Sequence, residues 1–235
     1  ETERIIEKTE LLKKGLMQKL LTKGIGHTKF KNTELGEIPE EWKITKLGDY
    51  SEKIQYGYTQ SSSQEPIGPK FLRITDIKNN SVNWNKVPYC SCSDKDYEKY
   101  KIRENDIVFA RTGATTGKSY LITKPPKTVF ASYLIKVRVN IKLNPNFVYY
   151  FFQTQKYWNQ IKVNISGSTQ GGVNATKLSN LKIPLPPLPE QEKIASILSK
   201  VDTQLQDNHN YLNKLEELKK GLMQDLLTGK VRVCV

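Results

Sequence analysis

The chain has 235 residues, with 37 Lys and Arg against 24 Asp and Glu and a net charge of +13. That length holds one ordinary domain with added elements, or two small ones. No apolar run approaches the roughly 18 residues a membrane span needs, and the opening stretch Glu1–Glu10 is charged and unlike a signal peptide, so a soluble, cytoplasmic protein is expected. Glu1 stands where an initiator methionine would, which places the expected natural N-terminus upstream. Cys90, Cys92 and Cys234 are odd in number and have only His27 and His209 for company. Reduced thiols are therefore expected, with neither a disulfide framework nor a metal set.

The first element is a helix. Ile5, Leu12, Leu16 and Leu20 recur on one side, and the pattern stops at Thr22 to Gly24. After it the period changes. Phe71–Ile74, Asp106–Ala110, Ser119–Ile122 and Tyr133–Val139 are short runs rich in β-branched and aromatic residues, as strands require. Pro145–Ile161 has Phe147, Tyr150, Phe151, Thr154 and Trp158 at helical spacing, which predicts a helix whose aromatics are core rather than a base-stacking platform. A last helix opens at Pro189, with Glu190 and Glu192 suiting its positive end. Ile194, Leu198, Val201, Leu205, Asn208, Leu212, Leu215, Lys219, Leu222 and Leu226 then follow at alternating steps of four and three. That 3.5-residue period is a coiled-coil seam, with Asn208 either fixing register or simply interrupting the stripe. Forty residues of such a helix span roughly 60 Å. The fold class expected is mixed α/β (α+β): a globular domain over residues 25–188, a long C-terminal coiled-coil helix with its tail over 189–235, and a helix end over 1–24.

The two helices share a sequence. Leu12–Thr22 recurs as Leu218–Thr228 with ten of eleven residues identical, the one difference being Lys19 against Asp225. The repeat unit is about 206 residues, so the chain holds one full unit and the tail of another. Helices with matching seams at opposite ends of one domain invite antiparallel pairing, within the chain or with a second one.

Charge is uneven. Ile107–Pro189 carries 11 Lys and Arg and not one Asp or Glu over 83 residues. A field of that kind suits a polyanion, and the absence of an amphipathic basic helix makes double-stranded DNA a better partner than a membrane surface. Three small, polar loops supply reading groups. The first holds Gln55, Tyr56, Tyr58, Thr59, Gln60, Ser61 and Ser62; the second Arg111, Thr112, Thr115, Thr116 and Lys118; the third Ser168, Thr169, Gln170, Asn174 and, just beyond it, Lys177. Arg73 joins them from the Phe71–Ile74 run. Guanidinium, amide, hydroxyl and methyl groups of this kind match base edges in the major groove, and the interleaved glycines let backbone approach phosphates.

No catalytic set is legible. Gly113–Ser119 has three residues between its glycines where a P-loop has four, and a strand follows where a helix should begin. Neither histidine assembles into a nucleophilic triad. The Asp/Asn-Pro-Pro-aromatic signature of an amino-methyltransferase is missing, since Pro125-Pro126 follows Lys124 and Pro186-Pro187 follows Leu185. The acid-free stretch leaves few carboxylates for a nuclease metal.

The chain resembles the specificity (S, HsdS-type) subunit of type I restriction–modification enzymes. The residues that carry the likeness are Gly36-Glu37-Ile38-Pro39-Glu40-Glu41-Trp42 with Leu47-Gly48-Asp49, then Phe71–Ile77, Asp106–Lys118, Ile183–Ile194 and the closing Leu218–Gln224. The resemblance implies a target recognition domain followed by a spacer helix, reading half of a bipartite DNA site without catalysis of its own. It also implies partners: methylation subunits that bind S-adenosylmethionine, a restriction subunit that uses ATP and Mg, and a second copy or the other half of the S subunit through the coiled coil. The family usually has two recognition domains and two spacer helices; one of each is complete here. A self-contained DNA-modifying or cleaving enzyme, and a coiled-coil adaptor with an incidental basic domain, are the competing readings.

Overall fold

A computed structural model describes residues 1–78, 81–166 and 172–228 of the chain. It opens with helix α1 (Thr2–Lys23), followed by strands β1 (Phe30–Thr33), β2 (Gly36–Pro39), β3 (Lys43–Lys46), β4 (Ser51–Tyr56), β5 (Lys70–Leu72), β6 (Ile77–Lys78) and β7 (Ser81–Val82). Helix α2 (Asp94–Tyr100) leads into β8 (Ile107–Ala110), β9 (Ser119–Leu121), β10 (Thr128–Phe130) and β11 (Leu134–Val139). Helices α3 (Pro145–Phe151), α4 (Gln155–Ser166) and α5 (Ala175–Ser179), strand β12 (Lys182–Leu185) and the 40-residue helix α6 (Leu188–Leu227) complete it.

The centre is an antiparallel four-stranded sheet in the order β4-β11-β8-β9. Both of its faces are covered. Ile107, Phe109, Ile135 and Val137 point into the larger core with α3, α4 and the inner ends of α1 and α6. Val108, Tyr120 and Leu134 point the other way, onto Leu72, Ile102, Ile122 and Phe130. Two-sided burial explains why these strands read as nearly continuous apolar runs. The single helix expected over Pro145–Ile161 is two helices, broken at Phe152–Thr154, where the Thr154 hydroxyl turns back to the Phe151 carbonyl at 2.7 Å. Asn144 caps the first by accepting the Phe147 N–H at 3.0 Å, with Pro145 in its first turn. The aromatics are core as expected: Phe147, Tyr150 and Phe151 are buried, and Trp158 is half-buried against them.

Helix α1 lies antiparallel on the first part of α6. The Lys13–Asp202 ion pair at 2.6 Å and the Ile25 N–H to Glu190 bond at 2.9 Å set that register. The face α1 uses differs by a fraction of a turn from the stripe the sequence suggested. Ile6, Thr9, Leu20 and Leu21 are buried, whereas Ile5 and Leu12 are exposed, because α1 must face the domain as well as α6. Burying Leu21 alone contributes about 1.5–3 kcal/mol and joins the helix to the domain core. Carried back to Thr2, the register reaches only the neighbourhood of Asn213, so the last turns of α6 extend past α1. There Leu218, Leu222, Met223, Leu226 and Leu227 are exposed.

Beneath the sheet lies a buried charge cluster. Asp106, fully buried, accepts two bonds from Arg138 at 2.7 and 2.8 Å and one from the Arg103 N–H at 2.8 Å. Lys136 is also buried; it donates to the Lys101 carbonyl at 2.7 Å and stands 3.9 Å from Asp106. Burial lowers its pKa from the ordinary 10.5 to about 8, against the pull of Asp106. Between those two values the unfolded chain holds the proton and the folded one releases it, so stability rises with pH over that window. Lys136→Met should abolish that rise in denaturant titrations at pH 8 to 10 and leave stability at pH 7 unchanged or higher. Asp106→Asn, which strands the buried Lys136 ammonium and the half-buried Arg138 guanidinium, should instead cost about 3–5 kcal/mol.

Candidate nucleic-acid interface

One end of the central sheet gathers the loops. Strand β4 leaves it at Tyr56, paired with Ile135, and β11 enters it at Leu134, paired with Ala110, the last residue of β8. The Gln55–Gln64 loop, the Ser132–Tyr133 turn and the Arg111–Lys118 loop are therefore neighbours by register. The segment after residue 171 closes the group: the Val173 N–H donates to the Arg111 carbonyl at 3.0 Å, and the Ala175 N–H to the Tyr56 hydroxyl at 3.1 Å. Loops far apart in sequence thus share one end of the sheet.

The side chains on that surface differ in how they are held. Arg111 is exposed, with its guanidinium carbon 4.9 Å from the Tyr56 ring centre, so the ring orients the cation while the tyrosine hydroxyl is taken by backbone. Thr59, Gln60, Ser61, Thr112 and Lys118 are exposed, and Thr115 is half-buried. Thr116 is buried and its hydroxyl donates to the Gly113 carbonyl at 2.7 Å, which closes the loop on itself. The base of that loop is anchored from below, where the Tyr157 hydroxyl donates to the Gly117 carbonyl at 2.5 Å. Asn174 caps α5, accepting the Lys177 N–H at 2.8 Å, and the Lys177 ammonium donates to the Gly172 carbonyl at 3.4 Å.

Other expected residues turn inward or aside. Gln55 donates its amide to the Lys99 carbonyl at 2.9 Å, and Tyr58 stacks on Tyr100 with ring centres 5.1 Å apart. Arg73 makes a forked pair with Asp76 at 2.8 and 3.1 Å, which holds its pKa above the usual value, and reaches the Ser62 hydroxyl at 3.4 Å. Through that contact it helps to place Ser62. Ser168, Thr169 and Gln170 lie outside the described residues. Tyr133, which the sequence reading missed, protrudes from the turn between the first two loops and is 64% exposed. Its only signal was being a polar-tipped aromatic at the start of an otherwise buried strand.

The Arg111–Lys118 loop joins two strands, with β9 beginning at Ser119, so Lys118 sits on a β-turn and not at the head of a phosphate-binding helix. Behind it, Thr115, Lys118, Ser119, Gln153 and Trp158 line a cleft of about 410 Å³. Among the described residues no three His, Cys, Asp or Glu side chains stand close enough to hold a metal, and no helix is long and apolar enough to cross a membrane. Cys90 is a buried free thiol whose pKa burial pushes up to about 11.

A polar loop cluster at one end of the central sheet is thus carried beside an antiparallel helical stalk. The chain belongs to the family of the type I restriction modification DNA specificity domain, whose sequence profile matches residues 39–219. It is 34% identical over 208 residues to the putative type I restriction enzyme MjaX specificity subunit of Methanocaldococcus jannaschii, covering 86% of this chain and 49% of that one. It is 31% identical to the MjaVIII specificity subunit of the same organism, covering 97% and 55%. Among solved structures it superposes on the HsdS subunit from Thermoanaerobacter tengcongensis with a TM-score of 0.62 at 18% identity, covering 98% of this chain and 53% of that one. The chain thus spans about half the length of the relatives it matches.

The loop cluster depends on one close approach of backbones. A Cβ on Gly57 would fall 2.2 Å from the Ala131 carbonyl oxygen and 2.4 Å from that of Phe130. Neither oxygen can give way without parting the β4 loop from the β10–β11 turn. Gly57→Ala should therefore cost about 1–3 kcal/mol in chemical denaturation, and hydrogen exchange should show the loss of protection concentrated at Tyr58 and Ser132.

Proposed function

We propose that this chain is the DNA-reading half of a type I specificity subunit: it recognises a short block of double-stranded DNA and carries no catalytic group. The observation that supports this most directly is the convergence of the Gln55–Gln64 and Arg111–Lys118 loops at one end of the sheet, the second of them within an 83-residue stretch free of carboxylates. Arg111, held over the Tyr56 ring, is suited to a guanine edge, and Gln60 to an adenine edge. Lys118 supplies charge for the phosphates. Methylation with S-adenosylmethionine, and restriction with ATP and Mg, belong in this reading to separate methylation and restriction subunits in the cytoplasm, which the helical stalk helps to assemble. If about six phosphates are neutralised, log affinity should fall against log salt with a slope near −5. Lys118→Glu should weaken all duplexes alike, whereas Arg111→Ala and Gln60→Ala should change which sequence is selected from a random pool. A flat salt dependence would favour the adaptor reading, and methylation or cleavage by the purified chain alone would favour an enzyme.

The stalk supports pairing with a companion half. In α1, Leu20 and Leu21 are buried at 7% and 1% exposure; their counterparts at the end of α6, Leu226 and Leu227, are 46% and 83% exposed. Lys19, the one position that differs between the copies, is exposed. The end of α6 therefore presents the same contact side chains that α1 already uses to seat on a domain of this kind. A second recognition unit, from another copy or the other half of a longer subunit, is the fitting partner, and two such domains held apart by a stalk of roughly 60 Å read a bipartite site. Leu222→Glu with Leu226→Glu should dissociate the assembly in size-exclusion chromatography with light scattering. The thermal transition of the domain should stay unchanged, because both leucines are solvent-exposed within one chain. Retention of the full assembly would count against this pairing.

A further inference from the structure

Tyr133 occupies the tip of the turn that feeds β11, between the Gln55–Gln64 loop and the Arg111–Lys118 loop. Its backbone is tied on every side. The Ser132 N–H donates to the Tyr58 carbonyl at 3.0 Å, the Leu134 N–H to the Ala131 carbonyl at 2.9 Å, and the Tyr133 carbonyl accepts the Arg111 N–H at 3.0 Å. The next residue, Leu134, is fully buried in the central strand. The mount is as rigid as the sheet, yet the side chain is 64% exposed. The other tyrosines at this end are engaged: Tyr58 on Tyr100, and Tyr56 on Arg111 with its hydroxyl bonded to the Ala175 N–H. Among the described residues Tyr133 has no ring contact and no side-chain hydrogen bond of that kind.

A ring presented in this way has two properties that a mobile surface tyrosine lacks. It has only two side-chain torsions to immobilise, on a backbone already fixed, so little conformational freedom is lost on contact. It also brings a flat, mostly apolar face into a surface whose other members are amides, hydroxyls and cations. We propose that Tyr133 is a specificity-determining residue of this domain, whose ring packs against base faces at a step of the bound duplex that opens to receive it. This inference rests on the DNA-recognition reading above. Arg111 and Gln60, on the loops either side, then read the edges of the flanking pairs. Steps that unstack easily are favoured at that position, so selectivity arises there without a hydrogen bond to the base.

The test compares wild type, Tyr133→Phe and Tyr133→Ala in the full specificity subunit assembled with its methylation partners. Each is titrated with the duplex selected by wild type and with a scrambled duplex of equal length. Ring contact predicts that Phe stays within about twofold of wild type, while Ala loses about 5- to 150-fold on the selected duplex and little on the scrambled one. With 2-aminopurine placed successively along the selected site, wild type and Phe should raise fluorescence at one step and Ala should not. Unfolding midpoints of all three should agree closely, because the side chain is largely exposed and, among the described residues, makes no ring contact. Equal binding by Ala, equal loss on both duplexes, or a loss with Phe as large as with Ala would each overturn the proposal while leaving DNA recognition standing. Failure of wild type to distinguish the two duplexes would overturn the recognition reading, and this inference with it.

Discussion

The Glu190 carboxylate, in the first turn of α6, receives three N–H donors. The Ile25 backbone, His27 Nε2 and Trp42 Nε1 each stand 2.9 Å from one of its oxygens. Those donors come from the end of α1, the segment after it and the fully buried Trp42, so one side chain ties both stalk helices to the domain. A half-buried carboxylate is tolerable only when its lone pairs are satisfied, and here the positive end of α6 assists. The joint also dictates its neighbour. Gly24 ends α1 at φ 65°, where a Cβ would fall 2.5 Å from the Glu190 oxygen and 2.7 Å from both His27 and Trp42. Glycine is required there on two counts, conformation and space. The direction of the stalk relative to the loop cluster follows from this joint.

From the joint, order passes outward through the larger core. Trp42 meets His27 and Phe147 edge-on, with ring centres 6.2 and 6.4 Å apart, and Phe147 belongs to the helix that backs the central sheet. The sheet then sets the loops. Because β11 is central, paired to β4 on one side and β8 on the other, whatever leaves its start is flanked by the loops that follow both neighbours. The Asp106–Arg138 fork braces the opposite end of the same strands. Strands paired in this way, with small, polar loops at one end, let the loop side chains change without changing the frame.

The stalk shows how a repeated sequence acquires two environments. Leu12–Thr22 and Leu218–Thr228 have the same intrinsic helix preference, and Thr22 and Thr228 bond back to the carbonyls of Gln18 and Gln224 at 2.5 and 2.7 Å. One copy is seated on the domain and the other projects past the end of α1. The difference lies in reach: the antiparallel register that brings Lys13 to Asp202 leaves the last turns of α6 beyond the start of α1.

By itself the sequence determined the mixed fold class, the long helix from its 3.5-residue period, the duplicated helix end, the basic, acid-free stretch and the three polar loops. Each of these is a local property, written in spacing or composition. It placed the helix that backs the sheet as one element where there are two, because Phe152–Thr154 keep helical spacing while the Thr154 hydroxyl competes for backbone. It marked the inner face of α1 only in part, with Leu20 buried but Ile5 and Leu12 exposed, because a helix packed on two surfaces at once no longer shows a single seam. Only the tertiary structure decided which polar residues share a surface. Strand register brought Tyr56, Arg111 and Tyr133 together across 77 residues of sequence. Side chains such as Gln55, Tyr58 and Thr116 found partners inside the protein that spacing cannot reveal. Pairing between strands distant in sequence is a long-range choice, made by the burial of both sheet faces together, and no window of neighbouring residues contains it.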